Sequence, residues 1–300
     1  MNTAILMDVK RFSVHDGPGV RTTLFFKGCT LRCKWCHNPE GLRPQPEMAY
    51  YENKCIGCGE CMSVCPQKAQ VFGKAGHEFQ KELCIACGKC EKVCLGEAMR
   101  LYGRQITVDE AMKIALEDRS FFRETGGITV SGGEPLRNPE FISAFFSRLK
   151  KEKVHTAVDT CGNVGWEAFQ QVLPFTDLFL YDVKHWDSRL HSQWTGCGNE
   201  LILNNLRRLA QAGAKIEVRL PLIPGCNDNE KTLLGIADFL RENAVPCVRV
   251  LPYHDLSRSK YAALRMEYLM PPTLSPDDGH LQEVIRFFRQ QGVYAISGRE

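Results

Sequence analysis

Apolar positions along the chain fall into two alternating kinds of segment. Short apolar runs, typical of buried strands, lead into polar or glycine-containing stretches and then into longer segments with apolar residues at helical spacing. The predicted strands cover residues 22–26, 127–130, 154–158, 178–181, 215–220, 247–251 and 293–296. The predicted helices cover residues 108–123, which follow a capping box formed by Thr107 and Glu110, and residues 139–151, 201–212, 230–243 and 280–291.

This alternation predicts an α/β fold in which a parallel sheet carries helices on its outside. The strand at 22–26 and the five strands between 127 and 251 give six strand–motif–helix units. Candidate chemical groups follow these strands at their C-terminal ends, where (β/α) barrels carry their active sites. Six units are fewer than the eight of a complete barrel, so we expect a partial (β/α)6 barrel with a lateral opening.

Three cysteines with C-x3-C-x2-C spacing follow the first of these strands: Cys29, Cys33 and Cys36. Thiolates select soft metals, and compact spacing suits an iron–sulfur cluster or zinc. A four-iron cluster with three cysteine ligands has one iron open to a small molecule, whereas a zinc site is usually closed by a nearby fourth ligand. The local candidate for that ligand is His37, which is awkwardly placed beside Cys36. We therefore favour a [4Fe-4S] cluster over zinc and over a purely structural role.

Residues 47–99 contain an internal repeat, two cysteine runs with C-x2-C-x2-C-x3-C spacing. In bacterial ferredoxins with this spacing, the fourth cysteine of each run binds the cluster of the other run. On that rule one [4Fe-4S] cluster takes Cys55, Cys58, Cys61 and Cys94, and the other takes Cys84, Cys87, Cys90 and Cys65. Four ligands leave no open iron, so these clusters are predicted to carry electrons or to hold the segment together. The alternative is a pair of zinc knuckles. The sequence thus predicts a main domain at 1–46 and 100–300 and a ferredoxin-like insert at 47–99.

Composition and charge restrict the class of protein. The formal net charge of +3 does not indicate a nucleic-acid partner, and no apolar run approaches the ~18 residues of a membrane span. The first ten residues lack the layout of a signal peptide. Fifteen cysteines favour metal ligands in a reducing cytoplasm over a disulfide scaffold, which is usually small and secreted. The four cysteines outside the groups are predicted to be small core residues: Cys161, Cys197, Cys226 and Cys247.

The cysteine loop resembles the signature of the radical S-adenosylmethionine (SAM) superfamily. The run before it, which includes Asp16-Gly17-Pro18-Gly19, is similar to the leader of the glycyl-radical enzyme activating enzymes. The resemblance implies reductive cleavage of SAM to a 5′-deoxyadenosyl radical, which takes a hydrogen from a backbone glycine in the C-terminal loop of a partner glycyl-radical enzyme. It also implies flavodoxin or ferredoxin as the electron donor and no side chain acting as acid or base.

The same resemblance implies roles for residues at the other strand ends. The Gly132-Gly133-Glu134 element would bind the amino group of the SAM methionine. The Asp182-Val183-Lys184 run would place Lys184 at the SAM carboxylate. Further SAM contacts would come from Trp35, His37, Arg219 and His254, and a monovalent cation, Na⁺ or K⁺, would bind Asp159, Thr160 and Asp182.

From the residues alone, purely structural roles for these positions stay open. The polar strand ends could be helix caps, Arg219 could form a surface ion pair, and His254 could be structural. Two other functions also remain: a radical SAM enzyme acting on a small molecule or peptide, and an electron-transfer protein. The sequence departs from the patterns at Leu95, where ferredoxins usually have proline, and at Cys226, where the family usually has phenylalanine.

Overall fold

The strands of this computed structural model, which describes residues 2–74, 76–245 and 247–298, form one large and two small sheets. In chain order they are β1 (Thr3–Ser13), β2 (Arg21–Phe26), β3 (Glu47–Tyr50), β4 (Gln70–Gly73), β5 (Gly76–Phe79), β6 (Met99–Tyr102), β7 (Arg104–Thr107), β8 (Gly127–Gly132), β9 (His155–Thr160), β10 (Leu178–Asp182), β11 (Ile216–Leu222), β12 (Cys247–Pro252) and β13 (Tyr294–Ser297).

The α-helices of the same residues are, in chain order, α1 (Glu60–Val64), α2 (Lys89–Lys92), α3 (Val108–Glu117), α4 (Pro139–Lys151), α5 (Trp166–Val172), α6 (Ser188–Thr195), α7 (Glu200–Gln211), α8 (Glu230–Glu242), α9 (Arg258–Ala263) and α10 (Asp278–Gln290). None of these helices combines the length and the apolar character needed to cross a bilayer.

The large sheet has the strand order β13-β12-β11-β10-β9-β8-β2-β1-β7. The strands from β13 to β2 pair in parallel, whereas β1 pairs antiparallel with both β2 and β7. Six of the parallel strands are those of the predicted units, and β13 adds a seventh. The sheet does not close, because its edge strands β13 and β7 each have one neighbour. The predicted α/β fold with a central parallel sheet is therefore confirmed.

The helices cover the sheet through apolar faces. The predicted apolar face of α4 is buried, from Phe141 to Leu149, and belongs to the main core. The predicted capping box of α3 is present, with Thr107 accepting from the Glu110 backbone amide. This helix ends at Glu117, however, and not at residue 123. The carboxylate of Asp118 turns inward instead, where it accepts from Thr22 Oγ1 at 2.7 Å.

Residues 47–102 form the two small sheets. Strand β3 pairs with β6, and β4 pairs with β5. The two ends of this segment, β3 and β6, therefore form paired strands and not loose linkers. A buried ion pair connects the first of these strands to the large sheet: Glu47 Oε2 lies 3.3 Å from Lys27 Nζ, and Glu47 Oε1 lies 3.3 Å from Lys81 Nζ.

Candidate functional site

The loop that carries the three cysteines is fixed on both sides by backbone hydrogen bonds. The first residues of the loop bond to its last residues, since the Cys29 amide donates to the Leu42 carbonyl at 3.1 Å. Its middle bonds to the C-terminal end of α6, since the amides of Arg32 and Lys34 donate to the carbonyls of Thr195 (2.7 Å) and Trp194 (3.0 Å). These bonds fix the path of the loop between β2 and α6.

The cysteine sulfurs lie in an environment that favours metal ligation over free thiolates. Burial raises the pKa of Cys33 well above its ordinary value and the pKa of Cys36 to about 12. A hydrogen bond with Cys161 has the opposite effect and lowers the pKa of Cys29, whose sulfur also accepts from the Leu31 amide at 3.4 Å. Iron supplies the positive charge that buried thiolates need, so these residues fit a cluster.

The three cysteines line a cavity of about 400 Å³ at the carboxyl edge of the parallel sheet. This volume lies within the range of small-molecule sites. Strands β8 to β12 all contribute to its wall, as expected when parallel strands end at one edge. The lining includes these predicted site residues: Cys29, Cys33, Trp35, Cys36, His37, Gly132, Gly133, Asp159, Thr160, Asp182, Lys184, Arg219 and His254.

Two predicted site residues lie outside this lining. Val183 is 2% exposed and packs into the main core. The Glu134 side chain is fully buried and bonds within the protein: its carboxylate accepts from Thr160 Oγ1 (2.9 Å), from the Cys161 amide (2.9 Å) and from the Leu136 amide (3.0 Å). Glu134 thus connects the ends of β8 and β9. Burial raises its pKa, and these donors oppose the increase.

The glycine pair at the end of β8 is required by close backbone approach. Gly132 has a φ of +123°, and a Cβ there would lie 2.3 Å from the backbone of Phe26. A Cβ at Gly133 would lie 2.6 Å from the carbonyl oxygen of Gly28. Only glycine allows the cysteine loop to pass this close to β8.

The charged groups of the cavity are already paired with one another. Lys184 Nζ lies 2.5 Å from Asp182, and Arg219 lies 3.4 Å from Asp159, which also accepts from Ser131 Oγ at 2.7 Å. Burial raises the pKa of Asp159 to about 6, with Arg219 opposing and Asp182 adding to the increase. Burial opposes the charge of Lys184, but Asp182 and Cys33 raise its pKa above the ordinary value.

The predicted cation ligands are therefore engaged in other contacts. Asp159 and Asp182 pair with cations, and the Thr160 hydroxyl donates to Glu134. Within residues 2–74, 76–245 and 247–298, no three His, Cys, Asp or Glu side chains come close enough together to hold a single metal ion.

Stacked imidazole rings form another part of the wall. The rings of His37 and His254 stack with centroids 3.9 Å apart, and His37 Nε2 lies 2.8 Å from the carbonyl oxygen of His254. Lys260 on α9 donates to the His37 carbonyl at 3.0 Å and to Glu40 at 2.6 Å. Trp35 is 4% exposed and packs against Trp194. These contacts join the end of β12 to the cysteine loop.

Sequence reasoning missed two contributors to this site. Cys161 was predicted to be a core residue and is buried, but it also lines the cavity and bonds to the Cys29 sulfur. Its position directly after the Asp-Thr pair of β9 was the available signal. The leader before β2 also reaches the site, because the His15 carbonyl accepts from Arg219 Nη2 at 2.6 Å.

The insert brings its cysteines together in two sets of four. One small cavity is lined by Cys55, Cys58, Cys61 and Cys94, and the other by Cys65, Cys84, Cys87 and Cys90. Backbone amides donate to sulfurs in both sets: Ala98 to Cys94 at 3.2 Å, Ala69 to Cys65 at 3.2 Å and Ala86 to Cys84 at 3.3 Å. Such N–H···S bonds are typical of iron–sulfur ligation, so both sets fit clusters.

An open α/β sheet with a three-cysteine loop and a cavity at its carboxyl edge defines a radical SAM protein, and residues 23–237 match the Radical SAM superfamily. The choline trimethylamine-lyase activating enzyme of Oleidesulfovibrio alaskensis is 39% identical over 94% of this chain and 93% of its own length. The trans-4-hydroxy-L-proline dehydratase activating enzyme of Clostridioides difficile is 38% identical over 95% of each chain. The isethionate sulfite-lyase activating enzyme of Nitratidesulfovibrio vulgaris is 40% identical over 88% of this chain and 89% of its own length.

The chain therefore belongs to the radical SAM superfamily and, within it, to the activating enzymes of glycyl-radical enzymes. Among solved structures, Streptococcus suis SuiB bound to precursor peptide SuiA aligns with a TM-score of 0.53 over 90% of this chain and 46% of that chain. At 11% identity this likeness supports the fold alone.

Proposed function

We propose that this chain binds SAM in the cavity beside a [4Fe-4S] cluster held by Cys29, Cys33 and Cys36, and that it thereby activates a glycyl-radical enzyme. The observation that carries the proposal is that the three cysteines share one cavity with Lys184, just after β10, and Arg219, within β11, which are two buried cations. The cluster, when bound, supplies the electron that cleaves SAM into methionine and a 5′-deoxyadenosyl radical, which takes a hydrogen from a backbone glycine of the partner.

The side chains of this cavity bind and orient SAM and do not transfer protons. Lys184 and Arg219 now pair with Asp182 and Asp159. The SAM carboxylate can replace these partners and bind to the two cations. The Gly132–Gly133 backbone brings the end of β8 next to the cysteine loop, where an amino group can bond to main-chain oxygens. The stacked imidazoles of His37 and His254, which also line the cavity, offer a flat surface for adenine.

The partner is proposed as a class. The relatives named above activate different enzymes at nearly equal identity, from 38% to 40%, so similarity does not favour one of those enzymes. We propose that the glycine loop of the partner enters through the open side of the sheet. Flavodoxin or ferredoxin is the proposed electron donor, and fifteen cysteines that are mostly grouped as metal ligands support a cytoplasmic location.

The insert is proposed to hold two further [4Fe-4S] clusters as a ferredoxin-like unit at residues 47–99. Two four-cysteine cavities with backbone donors to the sulfurs support this proposal. The full chain would then bind about twelve irons.

A monovalent cation, Na⁺ or K⁺, is the proposed ligand of Asp159, Thr160 and Asp182. The mutual repulsion of the two carboxylates, which adds to the raised pKa of Asp159, supports it. Replacing Na⁺ and K⁺ by tetramethylammonium should slow SAM cleavage, and an unchanged rate would contradict a cation at this position.

The test of the main proposal is 5′-deoxyadenosine production by anaerobically reconstituted protein with SAM and dithionite. The wild type should form it, and Cys33→Ala should not. Cys247→Ala is the matched control, because Cys247 lies on β12 away from the cavity lining and should keep wild-type activity. Cleavage retained in Cys33→Ala would refute the assignment. No cleavage by a wild type with about twelve irons would favour the electron-transfer alternative.

A further inference from the structure

The two halves of the insert are related by an approximate two-fold repeat. The first cysteine run matches the second at one constant offset, which also matches Phe72 with Leu101. Phe72 pairs with His77 across β4 and β5, and Leu101 pairs with Met48 across β6 and β3. Met48 is therefore the structural counterpart of His77. The two residues line opposite cluster cavities, His77 with the Cys55 set and Met48 with the Cys84 set.

The His77 ring is held against the sulfurs of the first set. Its Nδ1 lies 3.5 Å from Cys55 Sγ, and its Nε2 lies 2.7 Å from Gln70 Oε1 and 3.8 Å from Cys61 Sγ. The ring stacks on Phe72, with an interplanar angle of 3° and centroids 4.5 Å apart. The imidazole therefore has a fixed position and a fixed orientation beside the cluster ligands.

The chemistry of the ligand determines where the ring proton lies. A cysteine that binds iron is a thiolate, which accepts hydrogen bonds and has no proton to donate. Nδ1 must therefore carry the proton of the contact with Cys55. Gln70 permits this in either orientation of its amide: its oxygen accepts from a doubly protonated ring, or its NH₂ donates to an unprotonated Nε2.

At the position equivalent to His77, the second set has no side-chain donor. Met48 is 2% exposed, and its thioether has no N–H or O–H group. Within the part of the chain that the structure describes, backbone amides donate to the sulfurs of this set, among them those of Ala69 and Ala86. The first set also receives a backbone amide, from Ala98. The hydrogen-bonding side chain of His77, where the second half has Met48, thus distinguishes the two cysteine sets.

We infer that His77, oriented by Gln70, is a positioning residue that makes the cluster of Cys55, Cys58, Cys61 and Cys94 the more easily reduced of the two insert clusters. The inference rests on the proposal above that the insert holds two [4Fe-4S] clusters. Reduction adds negative charge to the sulfurs, so an N–H donor stabilises the reduced state more than the oxidised state and raises the reduction potential. An electron that enters the insert then resides first on this cluster, and Met48 leaves the other cluster at a lower potential.

The test is a dithionite titration of the full-length, reconstituted holoprotein, followed by electron paramagnetic resonance. His77→Met gives both cavities a methionine. We compare the two proteins at the potential where the first cluster is half reduced in the wild type. At that potential the ratio of reduced to oxidised first cluster should be about tenfold lower in His77→Met, which corresponds to a midpoint potential lowered by ~59 mV for one electron. His77→Gln keeps an N–H donor and should recover part of this loss. Met48→Leu is the matched control and should leave both midpoints unchanged, whereas Met48→His should raise the second.

Iron content separates the two ways in which the inference can fail. A wild type with about four irons would refute the two-cluster insert, and the inference with it. About twelve irons in wild type and His77→Met, with identical midpoint potentials, would refute the role of His77 and leave the proposed function intact.

Discussion

Glu134→Gln tests whether the buried carboxylate beneath the cavity holds the ends of β8 and β9 together. The donors to this carboxylate include the Thr160 hydroxyl, the Cys161 amide at 2.9 Å from Oε2, and the Leu136 amide at 3.0 Å from Oε1. The Thr160 oxygen already accepts from the Gly162 amide at 3.0 Å, so its own proton is left for Glu134. A carboxylate can accept all three bonds, because both of its oxygens are acceptors.

Glutamine has nearly the same shape but one accepting oxygen. In either orientation its NH₂ group faces a backbone amide, of Leu136 or of Cys161, and leaves that buried donor unsatisfied. A buried unsatisfied donor costs about 1–3 kcal/mol, and we take about 2 kcal/mol here. At about 2–4 °C for each kcal/mol in a domain of this size, the melting temperature should fall by about 4–8 °C.

The assay is anaerobic thermal unfolding of reconstituted protein, together with calorimetric titration of SAM. SAM binding should weaken in the same variant, because two neighbours of Glu134 line the cavity. Gly133 precedes it in the sequence, and Thr160 donates to its carboxylate. Glu140→Gln is the matched control, since Glu140 is exposed in the first turn of α4 and its change should stay within about 0.5 kcal/mol. A Glu134→Gln protein that melts and binds SAM like the control would refute this role for the carboxylate.

Three further outcomes are expected. Gly162→Ala should lower the melting temperature strongly, because the new Cβ would lie 1.9 Å from the hydroxyl oxygen of the buried Tyr181. Gly213→Ala is its control: a Cβ there meets no neighbouring atom within 4 Å, so only the left-handed backbone cost of about 1–2 kcal/mol should remain. Glu47→Gln should destabilise by about 3 kcal/mol in urea unfolding, because it leaves a buried ammonium group without its carboxylate. Burial lowers the pKa of His191, so the unfolded chain binds a proton that the folded chain does not; thermal stability should fall from about pH 7 toward pH 6, and less steeply in His191→Gln.

The sequence predicted the parallel strands to within a few residues. Each is a short apolar run bounded by glycine, proline or charged residues, and burial in the core makes that pattern strict. Strand β1 was missed because it is half exposed and mixes Asp8 and Lys10 with apolar positions. Helix α3 was extended too far because the inward turn of Asp118 depends on a partner on β2, distant in sequence.

The predictions for the site were limited by side-chain direction. Asp182 and Lys184 both line the cavity, whereas Val183 faces the core. Val183 and Lys184 lie just past β10, but the Val183 amide still donates to Arg219 on β11 at 2.9 Å, so the alternation of a strand continues here and period-two reasoning already allowed this deduction. The orientation of the Glu134 side chain could not be deduced in this way, because Glu134 lies beyond the end of β8. Its donors are Thr160 on β9 and the Leu136 amide in the turn that follows Glu134. The resemblance to the family indicated which residues belong to the site. Their hydrogen-bond partners could be identified only from the folded structure.

The ion pairs between the insert and the large sheet determine how the insert clusters can be tested. Lys27 Nζ is fully buried and bonds to Glu47 on β3 and to the Glu40 carbonyl at 2.6 Å. Glu40 also pairs with Lys260, which donates to the carbonyl of His37 beside the third cysteine of the loop. Deleting residues 47–99 would remove Glu47, leave the Lys27 charge unpaired and disturb this loop. Loss of SAM cleavage in such a deletion would therefore not show that the insert transfers electrons, whereas substitutions at the insert cysteines keep these ion pairs and test electron transfer directly.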